Sequence, residues 1–170
     1  MKNKTKLKGL VTAALFTALI SVFTAFLLHI PVPVGSNTAY IHFGDAFVFL
    51  AASLLPLPFG IAASAIGGFL ADVFCGGLVW APYTLVIKAL IALCFTAKSN
   101  KILCKRNYFA PILALIITVA GYYIAEAIIY GNWIAPMLSV VGNIIQIAGS
   151  SVIYILTSLA LDKAEIKNII

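Results

Sequence analysis

The residues of this chain able to do chemistry are few, and they sit in costly places. Asp45, Asp72, Lys88 and Glu126 each fall within or at the end of an apolar stretch, and Asn143 and Gln146 fall within another. An ionisable group facing lipid is expensive, so such a group turns toward a partner, a cavity or interfacial water. Asn143 and Gln146 are three residues apart and share one helix face. Close to these positions along the chain stand Tyr40, His42, Trp80, Tyr83, Tyr130, Asn132 and Trp133. Carboxylates, one amine, three amides and several rings suit the capture of a small polar molecule with a planar part. The polar groups orient it and the rings stack on it.

The same residues argue against catalysis. No G-x-x-x-x-G-K-[ST] loop is present, so the chain is not expected to hydrolyse ATP itself. The two histidines are isolated, no H-E-x-x-H pair exists, and no G-x-S-x-G elbow is found. No acids are paired at helical spacing. Cys75, Cys94 and Cys104 match no metal or disulfide spacing and read as small hydrophobes. The expectation is a binding protein, not an enzyme, with no cofactor and no metal.

Structural readings of each residue stay open beside the functional one. Asp45 and Asp72 are near segment ends, where a carboxylate can reach interfacial water. The tryptophans and tyrosines also fit an ordinary interfacial belt. Lys88 can snorkel, or pair with Asp72 or Glu126. Asn143 and Gln146 can join helices. What favours a site is their joint occurrence at one depth.

That depth follows from the elements that carry them. The 170 residues are 63% hydrophobic and 9% charged, with net charge +6. Such a chain lacks the polar surface of a water-soluble domain. Nucleic acid is not an expected partner, because the positive charge lies at the chain ends and in one loop. The partner that composition names is the lipid bilayer. A span needs roughly 20 apolar residues. Segments read as 9–28, 42–55, 59–74, 83–97, 108–129 and 134–161, all within one domain covering 1–170. Pro56 and Pro58, Gly76-Gly77 with Ala81-Pro82, and Gly131-Asn132 mark turns. Segment one follows Lys2, Lys4, Lys6 and Lys8, yet it is too long for a signal-peptide core and no small-residue cleavage site follows it. Segments two to four are short for full spans and invite tilting or a partly re-entrant path. The stretch His29–Tyr40, with its prolines and Gly35, is expected to be a loop serving as a lid.

The predicted fold is therefore an all-α integral membrane bundle of six transmembrane helices with both termini cytoplasmic. Ten of the eleven Lys and Arg support that count. They lie at the N-terminus, in the loop Lys98–Asn107 and in the tail from Asp162, all on one side of a six-span chain. The positive-inside rule makes that side cytoplasmic. Asp45, Asp72, Lys88, Glu126, Asn143 and Gln146 then all fall in the outer half. The inner half is greasy. Segment one differs: Ala14 and Ala18 form a small-xxx-small step, which allows close approach of another helix or packing within the bundle.

Several stretches together resemble the S components of energy-coupling factor (ECF) vitamin transporters. They are the basic N-terminus with Ala14 and Ala18, Tyr40-Ile41-His42-Phe43-Gly44-Asp45-Ala46, Gly67-Gly68-Phe69-Leu70-Ala71-Asp72, Trp80-Ala81-Pro82-Tyr83-Thr84 with Lys88, Gly121-Tyr122-Tyr123-Ile124-Ala125-Glu126, Tyr130-Gly131-Asn132-Trp133, and Gly142-Asn143-Ile144-Ile145-Gln146. The set looks like the riboflavin, hydroxymethylpyrimidine or pyridoxine subgroup. The resemblance implies a six-helix fold in the bacterial cytoplasmic membrane and high-affinity capture of a vitamin from outside. It also implies a membrane coupling subunit and two ATPase subunits as partners, with Ala14 and Ala18 at the coupling-subunit interface. The metal-transporting branch starts Met-His, whereas Lys2 stands here, so metal uptake is not expected. Two other readings stay open: a proton-coupled secondary carrier using Asp72 or Glu126, and a non-transport scaffold. No internal repeat supports the first, and the second leaves the outward polar cluster unexplained.

Overall fold

The computed structural model describes residues 2–27, 30–34 and 37–168. Six helices follow in order: α1 (Lys2–Ala25), α2 (Asp45–Leu54), α3 (Leu57–Phe74), α4 (Ala81–Cys94), α5 (Lys105–Tyr130) and α6 (Met137–Lys163). Between α1 and α2 the chain forms an antiparallel pair, β1 (Ile30–Val34) and β2 (Asn37–Ile41). A short 3₁₀ turn, Ile166–Asn168, follows α6.

Proline and glycine set many of the boundaries. Pro58 and Pro82 sit in the first turns of α3 and α4, where a missing N–H costs nothing. Gly131 ends α5 with φ 61° and ψ 24°, the left-handed cap glycine adopts without a Cβ penalty. The six-helix expectation holds, and four helices (α1, α3, α5, α6) are long and apolar enough to cross a membrane. Helices α2 and α4 have only 10 and 14 residues, roughly 15 and 21 Å at 1.5 Å per residue. They complete the bundle without matching its thickness.

The expected lid loop differs in type from the six helices. Most of it is the β1–β2 pair, with Pro31 opposite Tyr40 and Pro33 opposite Thr38. Two residues apart, the prolines put both missing N–H groups on one edge, which is where a strand tolerates them. The pair lies against α6. His29 and Gly35, which the lid reading also used, lie outside the described residues.

Packing is inverted relative to a water-soluble protein. Asp45, Lys88, Asn107 and Gln146 are buried, while Leu7, Leu15, Ile116, Val141 and Leu156 are more than half exposed. Lipid is as apolar as leucine, so helix association here relies on close packing and polar bonds. Close packing comes from α3, whose paired glycines serve two neighbours. A Cβ on Gly67 would stand 2.8 Å from Ile20 of α1, and one on Gly68 2.8 Å from Lys88 of α4. The inner half closes on Phe49, Phe95 and Tyr154, all under 2% exposed, with Phe49 and Phe95 stacked at 5.0 Å. Tyr154 meets both rings edge-on and shares a 2.8 Å hydrogen bond with Ser53.

The cytoplasmic end of α4, α5 and α6 is stapled by side chains. Asp162 accepts the backbone N–H groups of Ile102 and Leu103 at 2.6 and 2.9 Å. Lys167 donates to Ser99 O at 2.8 Å, and Asn107 donates to Thr96 O and Ile102 O, each at 2.8 Å. Partial burial holds the Lys167 ammonium pKa below its ordinary value. The expected loop Lys98–Asn107 is thus shorter than its charge suggested, since α5 already begins at Lys105.

Candidate substrate-binding site

Four helices meet in the outer half of the bundle. Asp45 is the first residue of α2, and its Oδ1 pairs with Nζ of Lys88 from α4. Gln146 of α6 donates from Nε2 to the other oxygen of Asp45 at 2.7 Å. Tyr122 of α5 lies beside the lysine, with Nζ 5.7 Å from the ring centroid. The Tyr122 hydroxyl shares a 3.1 Å hydrogen bond with Thr84, one turn before Lys88 on α4.

Helix geometry explains why these groups converge. Lys88 sits on the face of α4 that packs on α3, where only glycine at 68 leaves room for its Cβ and Cγ. Gly121 gives the same room on α5 for Ile87. A buried charge is tolerable only when it is paired and hydrogen-bonded. Asp45 meets that condition with Lys88 on one oxygen and Gln146 on the other. Of the structural readings open for Lys88, pairing is the one found, with Asp45 as the partner in place of Asp72 or Glu126, because α2 packs against both α4 and α6.

Toward the outer end the groups are less saturated. Asp72, near the end of α3, has Oδ2 buried with no hydrogen-bond partner among the described residues. The Asp72 carboxyl interacts with Thr84 and with Lys88, and its Oδ2 is left able to accept a further donor. Glu126 accepts a hydrogen bond from Ser139, joining α5 to the start of α6. Trp80 and Tyr130 meet edge-to-face at 5.8 Å across the α4 and α5 ends. Asn143 is half-buried one turn outward of Gln146.

Not every expected site residue joins this cluster. Asn132 accepts the Ile134 N–H at 2.7 Å and so braces its own turn. Trp133 is 62% exposed, with its carbonyl bonded by the Tyr123 hydroxyl. Tyr83 packs against the apolar core. Two residues absent from the expected set, Tyr122 and Thr84, are central. Their signal was present as spacing: Thr84 is four residues before Lys88, and Tyr122 four before Glu126. Ala14 and Ala18 lie on the exposed face of α1, away from the bundle interior.

A family profile described as "ECF-type riboflavin transporter, S component" matches residues 4–163. The chain belongs to that family. The S-component family comprises substrate-binding subunits of vitamin transporters, not enzymes, and its members work with ECF module partners in the membrane. One solved structure, described as the S component of a bacterial ECF transporter, superposes with a TM-score of 0.70 at 22% identity, covering 93% of this chain and 97% of that one. That likeness establishes the S-component fold. No curated protein matches the chain in sequence.

Proposed function

We propose that this S component captures riboflavin, or a closely similar water-soluble vitamin or precursor, from outside. An ATP-driven module of one membrane coupling subunit and two ATPase subunits then powers its uptake. The observation that carries this reading is the outer-half polar cluster, in which Asp72 keeps an open buried acceptor close to Lys88, Thr84 and Tyr122. Riboflavin offers what such a cluster binds: a planar ring and a chain of hydroxyl donors. Trp80 and Tyr130 supply ring surface at the mouth. The family match supports the vitamin class, and the charge pattern supports entry from the non-cytoplasmic side.

Titration of the purified protein with riboflavin, followed by flavin fluorescence, tests the proposal. Saturable quenching is expected, with thiamine, pyridoxine and hydroxymethylpyrimidine binding more weakly. Lys88→Ala and Asn143→Ala should each weaken binding about tenfold, the scale of one lost polar contact. No binding of any of the four compounds, or unchanged affinity in both variants, overturns the reading. For the energising step, vesicle uptake should require the coupling subunit and both ATPases.

A further inference from the structure

The cytoplasmic side of the lipid-facing surface carries a feature the vitamin site does not use. Between the end of α4 and the start of α5 runs a groove of about 860 Å³, lined by Leu93, Phe109, Ile112 and Leu113, with Ala110 also on its lining and Lys105 and Arg106 beside them. Its polarity is graded along α5. The two cations occupy the first turn, at the level of the basic loop, and the apolar residues follow one and two turns deeper into the membrane. Arg106 is pinned across the mouth. Its Nε donates to Cys94 O at 2.9 Å and its Nη2 to Leu93 O at 2.7 Å. Among the described residues, no acid lines the groove.

A water-soluble ligand has no reason to enter a cleft that opens onto lipid tails. An amphiphile does, if its head is anionic and its tail runs toward the bilayer centre. Basic pockets between transmembrane helices on the cytoplasmic side suit anionic lipid headgroups, which that leaflet supplies. We propose that the α4–α5 groove binds one anionic phospholipid of the cytoplasmic leaflet. Its phosphate sits at Lys105 and Arg106, and an acyl chain lies along Phe109 and Leu113. The site is separate from the vitamin cluster and stands whether or not riboflavin is the ligand.

The test uses the full chain in nanodiscs of equal phosphatidylglycerol and phosphatidylcholine, with lipid retention read by native mass spectrometry. Phosphatidylglycerol should be retained preferentially, and Lys105→Gln should cut that preference about fivefold, the scale of one cation near an anionic surface. Lys98→Gln with Lys101→Gln, in the same loop but off the groove, should change it little. As a second readout, Phe109→Trp in a Trp80→Phe, Trp133→Phe background should be quenched more by brominated phosphatidylglycerol than by brominated phosphatidylcholine. Equal retention of both lipids, an equal loss in the Lys98 and Lys101 variant, or quenching blind to the headgroup overturns the proposal. So does a dimer that buries position 109.

Discussion

Lys88 of α4 and Asp45 of α2 form an ion pair inside the bundle, their side chains 2% and 0% exposed. Forty-three residues separate them in sequence. The pair joins the shortest helix to one of its longer-range neighbours, and Gln146 extends the connection to α6. Removing one member leaves a buried charge uncompensated, which typically costs about 3–5 kcal/mol. Lys88→Met should therefore lower the thermal midpoint in detergent sharply. The double variant Asp45→Asn with Lys88→Met should recover most of the loss. Recovery of stability without recovery of riboflavin binding would assign the pair to the ligand as well as to the fold.

Two glycines with opposite surroundings give a matched comparison. A Cβ at Gly68 would meet Lys88 Cγ at 2.8 Å and Thr84 Cγ2 at 2.9 Å, whereas one at Gly142 meets nothing within 4 Å. Gly68→Ala should destabilise by about 1–3 kcal/mol through overpacking and weaken ligand binding, because it shifts both site residues. Gly142→Ala should stabilise α6 by about 0.5–1 kcal/mol through helix propensity. Thermal denaturation of the two variants side by side checks both signs.

In the inner half, Ser53 and Tyr154 share a second hydrogen bond between α2 and α6. Tyr154→Phe should cost about 1 kcal/mol, the net worth of such a bond. Riboflavin affinity should not change, since the bond lies on the far side of the aromatic cluster from Asp72. A loss of affinity measured by fluorescence titration would place the ligand deeper than proposed.

The exposed face of α1 is predicted to contact the coupling subunit. Ala14→Trp with Ala18→Trp adds bulk where the isolated bundle has open space. The double variant should fold and bind vitamin as the parent does, yet fail to co-purify with the coupling subunit. Retained co-purification would remove this face from the interface.

Much of the helical plan was legible because it rests on local rules. Apolar length located the helices, and Pro58, Pro82 and Gly131 marked their ends to within a few residues. The β1–β2 pair was not legible, because Pro31 and Pro33 argue against a strand unless their edge is known. The start of α5 was hidden for a related reason: Lys105, Arg106 and Asn107 look like loop residues, yet Arg106 bonds to the end of α4 and Asn107 to the α4–α5 connection within the first turn. In the site, the types and depth of Asp72, Lys88 and Gln146 could be read from sequence. Which acid meets Lys88 could not, since that depends on α2 packing between α4 and α6. Tyr122 and Thr84 left only a spacing signal, because they are ordinary residues that gain a role through their neighbours.

The stapled cytoplasmic end has a directional meaning. Phe49, Phe95 and Tyr154 plug the bundle below the polar cluster, and Asp162, Lys167 and Asn107 hold the connections beneath that plug. On the proposed reading, a molecule held beside Asp72, Thr84 and Tyr122 has packed rings beneath it and braced connections beyond them. Those packed rings oppose passage toward the braced end, so capture by itself is not transport. Delivery toward that end would require outside work, either to open the braced end or to turn the bundle over.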